Sequence, residues 1–164
     1  MSALLTTSDV TVEHLRCCEL RAVYPLMRQL DASLSLASWL RYGRRLTGST
    51  AATRSGILVA RRNALAHFSG AVCYRRIRHL NDGRMLVAEH FVAMDLLHPD
   101  RVLDTLAAAL DMVAAAQGCV AIRSVVRIDD RGLLGALRQV GHTSEGLTLT
   151  KLVPSPDAAP GLRT

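Results

Sequence analysis

The period of apolar and polar positions changes several times along the chain, and each change marks an element. Residues 9–18, DVTVEHLRCC, alternate and predict a first strand. Leu20, Val23, Tyr24, Met27 and Leu30 then recur at helical spacing. A second helix is expected over about Ser35–Leu46, with Ser33 or Ser35 as its N-cap, followed by a Thr-, Ser- and Gly-rich loop. Three strands follow: Ile57–Arg61, Leu65–His79 and Arg84–Leu97. Asp82-Gly83 suits a two-residue type I′ hairpin, which sets Asn81 against Arg84. That register places Tyr74 opposite Phe91, Arg75 opposite His90 and Arg76 opposite Glu89.

Pro99 suits the first turn of a helix running to about Gln117, with Gly118 as its stop. Residues 120–126 predict another strand, and RGLLGALRQV a helix capped by Asp129 or Asp130 and ended by Gly141. LTLTKLV alternates as a final strand over 147–153. The expected organisation is one domain over 1–153 and a proline-rich, disordered tail over 154–164.

Composition narrows the class. With 49% hydrophobic and 21% charged residues, 164 residues suffice for one globular core. No apolar run reaches membrane-spanning length, and the N-terminus lacks a secretory pattern, so a cytoplasmic protein is expected. Cys17, Cys18, Cys73 and Cys119 show no metal-ligand spacing, and all four read as reduced, mostly buried small hydrophobes, with no metal expected. Lys151 is the single lysine among 20 Lys and Arg residues, a bias of the kind that G+C-rich bacterial genomes produce. The net charge of +6 favours encounter with acidic partners. Aromatics at 4% are too few for a base-stacking platform, and no nucleic-acid motif is present.

Three segments in order resemble the GNAT (N-acetyltransferase) superfamily: LVARRNALAHFSG, VAEHFVAMDLLHPD, and DDRGLLGALRQVGHTSEGLTLTKLV with His142 at a usual aromatic position. The resemblance spans about residues 9–153. It implies an α/β fold with a mixed, mostly antiparallel central sheet flanked by helices, in the order β-α-α-β-β-β-α-β-α-β. It also implies acyl-CoA as donor and an amine as acceptor. The family's phosphate-cradling glycines are replaced here by Val102, Asp104 and Leu106, and Pro99 has no N–H to donate. Arg101 is the residue left there to meet an anion, and backbone groups at Met94, Asp95 and Leu96 are placed to polarise an acyl carbonyl.

The resemblance makes Glu89 the candidate general base; its other reading is a cross-strand partner of Arg76. The helical tyrosine that many members use as an acid falls at Leu137, leaving Tyr42 or Tyr74 as substitutes. His90, next to Glu89 on a strand, is expected on the opposite face. Trp39, Leu40 and Tyr42 either line a substrate cleft or pack in the core. Arg41, Arg44 and Arg45 either meet an acidic group or form a solvated face. Two functions follow. One is a divergent acyltransferase drawing on acyl-CoA or an acidic acyl carrier protein. The other is a GNAT-fold binding or regulatory module without catalysis, with a homodimer as one form.

Overall fold

A computed structural model describes residues 3–7, 9–48, 54–62, 67–80, 83–94, 99–146 and 150. The elements are β1 (Leu5–Thr6), β2 (Val10–His14), α1 (Leu20–Met27), α2 (Leu36–Thr47), β3 (Ser55–Arg62), β4 (Phe68–His79), β5 (Gly83–Ala93), α3 (Pro99–Ala116), β6 (Ala121–Ser124) and α4 (Arg131–Gln139). The six strands form one sheet in chain order. All neighbours are antiparallel except β5 and β6, which run parallel, as a strand–helix–strand crossover through α3 requires. The expected final strand at 147–153 and the tail lie outside the described residues apart from position 150.

The sheet buries both faces. Val10, Val12, Leu58, Val72, Leu86 and Ala88 meet Val102, Leu106 and Leu110 of α3 and Leu133 and Leu137 of α4. Ile57, Val59, Ala71, Cys73 and Val92 meet α1 and α2 through Val23, Met27, Trp39 and Leu46. Alternation along each strand serves both layers, which is why β3 reads as a continuous apolar run. No described helix is long and apolar enough to cross a membrane.

Helix ends follow their local chemistry. Ser35 caps α2, its side chain accepting from the Ser38 N–H, and Asp130 caps α4 by accepting from Leu133 N–H. Gly118 and Gly141 take positive φ after α3 and α4. The first strand ends sooner than its pattern suggested. Cys17–Glu19 form a single 3-10 turn rather than strand, and Cys17 and Cys18 are exposed, not buried.

The β4–β5 register also departs from expectation. His79 pairs with Gly83 and Arg78 with Arg84, so three residues, not two, connect the strands. Gly83 adopts φ 76°, the left-handed position that closes a three-residue hairpin. Cys73 therefore faces Glu89, Arg75 faces Val87, Arg76 faces Leu86 and Tyr74 faces Ala88. Arg76 leaves the face of Glu89 and reaches the Gln117 carbonyl at the end of α3. The Arg76–Glu89, Arg75–His90 and Tyr74–Phe91 pairings do not form.

One charge network fastens the start of the chain to the sheet. Glu13, 5% exposed, accepts from Arg61 Nε at 2.9 Å. Arg61 also donates to Glu19 at 3.0 Å and lies 3.8 Å from the centroid of the Phe68 ring. Glu19 in turn accepts from Arg16 Nε at 3.0 Å, and this bond holds its carboxyl below the usual range. Removing Arg61 would leave a buried carboxylate without its cation. Arg61→Met should therefore cost about 3–5 kcal/mol in chemical denaturation. A loss below about 1 kcal/mol would mean that the network is not holding β2 to β3.

Candidate functional site

The candidate site is built by an irregularity in β5. Cys73 pairs with Glu89 but Ala71 pairs with Val92, so His90 and Phe91 together oppose the single Val72. This is a β-bulge, and His90 absorbs it at φ 59°, among the few left-handed conformations that histidine tolerates better than most side chains. The extra residue breaks the alternation. Ala88 and Phe91 join the core under α3, whereas Glu89 and His90 both turn towards α2. The expected separation of Glu89 and His90 on opposite faces is thus corrected by the bulge.

Tyr42 of α2 meets both. Its hydroxyl donates to Glu89 Oε1 at 3.2 Å, and its ring packs edge-on to the His90 imidazole with centroids 5.5 Å apart. Arg75 Nε lies 3.6 Å from the same Glu89 oxygen. Burial raises the Tyr42 phenol far above its usual pKa, with Cys73 and Glu89 adding to the shift, so Tyr42 stays a proton donor at neutral pH. Cys73, directly opposite Glu89, is fully enclosed; burial and then Glu89 raise its thiol, which removes it as a nucleophile.

The helix presenting Tyr42 is held firmly. Trp39, one turn earlier, is buried and its indole N–H donates to the Leu20 carbonyl at 2.7 Å. Leu20 packs where Gly43 has no side chain. At the far end, Ser55 Oγ donates to the Leu46 carbonyl at 3.1 Å. Tyr74, the other candidate acid, lies on the opposite face. It is buried, meets His14 Nε2 at 2.9 Å, and burial pushes its phenol up to about 12.

Beyond the bulge, β5 leaves β6. Ser124 pairs with Ala88, and Val125 N–H donates to the Ala88 carbonyl; no described strand continues along that edge. A cleft of ≈ 270 Å³ opens there, lined by Leu30, Phe91, Val92, Leu103 and Leu133, with Asp100 and Asp130 as its charged groups. An apolar slot beside an open strand edge suits an extended chain of amides and methylenes.

Solved structures share this architecture. One described as a probable acetyltransferase superposes with a TM-score of 0.72 at 14% identity, covering 89% of this chain and 98% of that one. An aminoglycoside N-acetyltransferase in complex with CoA superposes with a TM-score of 0.72 at 10% identity, over 92% and 99% of the two chains. A transcriptional regulator from Bacillus halodurans gives 0.68 at 15% identity, over 87% and 99%. The chain has the GNAT fold. No family model and no curated protein matches the sequence.

Within that GNAT frame, α3 turns Val102 and Leu106 into the core. Val102 and Leu106, at positions where the family resemblance implies glycines, are each 0% exposed and belong to the core. Gly70 on β4 makes room for them: a Cβ there would overlap the Val102 side chain. Pro99 donates no N–H, Pro99, Asp100 and Arg101 are exposed, and Asp100 adds negative charge to the first turn. The first turn of α3, with Pro99 and Asp100 in it, therefore does not suit a pyrophosphate.

The remaining candidates are scattered. Met94 N–H donates to the Ser69 carbonyl at 2.7 Å, so it is not directed at an acyl carbonyl. Asp95 and Leu96 lie outside the described residues. Arg101 points to Asp9, at 3.6 Å, and does not line the cleft. Leu137 is core, and His142 Nε2 meets Ser124 Oγ at 3.0 Å. Strict alternation put His90 on the face away from Glu89, and Tyr42 stood only as one of two substitute acids or a cleft-lining residue. One signal was present: in Glu89-His90-Phe91-Val92 two polar residues precede two apolar ones, a doublet that strict alternation cannot satisfy.

The bulge sets an expectation for position 90. His90→Gly relieves the left-handed strain and should leave stability unchanged or raise it by about 1 kcal/mol, whereas the β-branched His90→Val should cost about 2 kcal/mol. Equal stability of the two variants in urea unfolding would contradict the left-handed assignment.

Proposed function

We propose that the protein is an N-acyltransferase that moves an acyl group from a thioester to an amine. The observation that carries this reading is the Tyr42–Glu89–His90 cluster, whose strand residues directly precede Phe91 and Val92 in the lining of the cleft. When bound, the thioester supplies the acyl carbon and a sulfur leaving group. Glu89 accepts the proton of the incoming ammonium, which exposes the nitrogen lone pair. A C–N bond forms and the C–S bond breaks; the second proton that the nitrogen sheds as it becomes an amide goes to the sulfur, which departs as a thiol. Tyr42 keeps its own proton and orients the Glu89 carboxylate, while His90 braces the Tyr42 ring. Much of the rate on this scheme comes from holding amine and acyl carbon together.

The donor is an acyl-CoA with its pyrophosphate held away from the α3 turn, or an acidic acyl carrier protein; the excess of arginine is compatible with either. A second reading, a GNAT-fold regulatory module without catalysis, is favoured by the buried side chains of Val102 and Leu106. A transcriptional regulator shares the fold, which gives that reading a precedent.

Thiol release from acetyl-CoA and a longer acyl-CoA, measured across a panel of amines, separates the two. Glu89→Gln should lower kcat by about 10²–10⁴-fold with donor affinity intact, the range for loss of a general base. Tyr42→Phe should lose less, about tenfold, because it removes one orienting hydrogen bond. Absence of thioester binding and turnover, with carrier-linked donors included, would leave the module.

A further inference from the structure

The face that carries Glu89 carries two arginines beside it. Arg75 on β4, Val87 on β5 and Arg123 on β6 stand in one row across the sheet. Glu89 lies two residues along β5 from Val87, and the alternation is unbroken until the bulge that follows it. All four side chains therefore share a face. Arg75 is 54% exposed at its side chain and Arg123 is exposed. Val87 between them is buried and gives the row an apolar floor. Among the described residues, no carboxylate forms an ion pair with Arg123.

This is one carboxylate facing two guanidiniums. With strands about 4.8 Å apart and about 3.4 Å per residue, the Arg123 and Glu89 backbones are about 8 Å apart. Two like charges in one row of a sheet repel, and an anion between them offsets that cost. The planar guanidinium suits phosphate or carboxylate through paired N–H bonds. The donor cleft carries Asp100 and Asp130 instead, so an anionic group is steered to the arginine side.

We propose that the acceptor is a small zwitterionic amine, with its ammonium at Glu89 and its phosphate or carboxylate between Arg75 and Arg123. This rests on the acyl-transfer reading. In the structure Arg75 is the ionic partner of Glu89, at 3.6 Å. The acceptor's anion gives Arg75 another partner, and its ammonium replaces Arg75 at Glu89. Substrate binding and presentation of the general base are thus one exchange of ion pairs. Arg123 is a binding residue in this scheme.

Calorimetric titration with O-phosphoethanolamine, ethanolamine and inorganic phosphate tests the proposal, using the wild type, Arg123→Gln and the remote control Arg21→Gln. The zwitterion should bind at least about tenfold more tightly than either fragment. Arg123→Gln should lose about tenfold for O-phosphoethanolamine with ethanolamine binding unchanged, the scale of one charge-assisted pair. Arg21→Gln should match the wild type, and melting temperatures should agree across the three proteins. Equal affinity for O-phosphoethanolamine and ethanolamine overturns the proposal, as does equal weakening by both arginine variants. An acetyl-CoA titration of the same samples keeps the two readings apart. Thioester binding without preference for the zwitterion removes the acceptor assignment alone. Zwitterion binding without any thioester donor removes acyl transfer, and with it the acceptor role.

Discussion

The bulge at His90 is the constraint from which the site follows. In an unbroken strand Glu89 and His90 would face opposite layers, and Tyr42 could meet only one of them. The added residue turns both towards α2 and sends Phe91 into the α3 layer. It also bends β5 just where pairing with β6 ends at Ala88 and Ser124, which opens the cleft. A left-handed histidine costs on the order of 1–3 kcal/mol, an expense that bulges at functional positions commonly carry. The Trp39 anchor has meaning only with this geometry, because it fixes the helix from which Tyr42 reaches Glu89.

A second packing choice shapes the start of α3. Gly70 yields its Cβ space to Val102, and Val102 and Leu106 bury apolar side chains between α3 and the sheet. These side chains pack the α3 layer, and beside them Pro99 lacks an N–H and Asp100 carries negative charge. On the acyl-transfer proposal, the apolar slot and the Tyr42–Glu89–His90 cluster act without the first turn of α3.

Much of the architecture was legible in the sequence. Helical spacing located α1 and α2, Ser35 and Asp130 were among the cap candidates for α2 and α4, and Pro99 and Gly118 bracketed α3. The limits were physical. Gly83 fits a two-residue or a three-residue hairpin equally well by type, and only packing of the two strands selects the longer loop. That choice exchanged Arg76 for Arg75 beside Glu89. Glu89 stood out through the family resemblance, but its neighbours did not, since Tyr42 comes from an element 47 residues away. The Glu-His-Phe-Val doublet was the local trace of the bulge; it passes for ordinary strand unless each residue is assigned a face.

The most direct measurement is an NMR determination of proton–proton contacts from the His90 imidazole and the Glu89 side chain in the purified protein. The account predicts contacts from both to the Tyr42 ring, together with a His90 amide coupling typical of positive φ. Contacts from His90 to Val102 or Leu106 of α3, with only Glu89 near Tyr42, would show an unbroken strand and contradict the site.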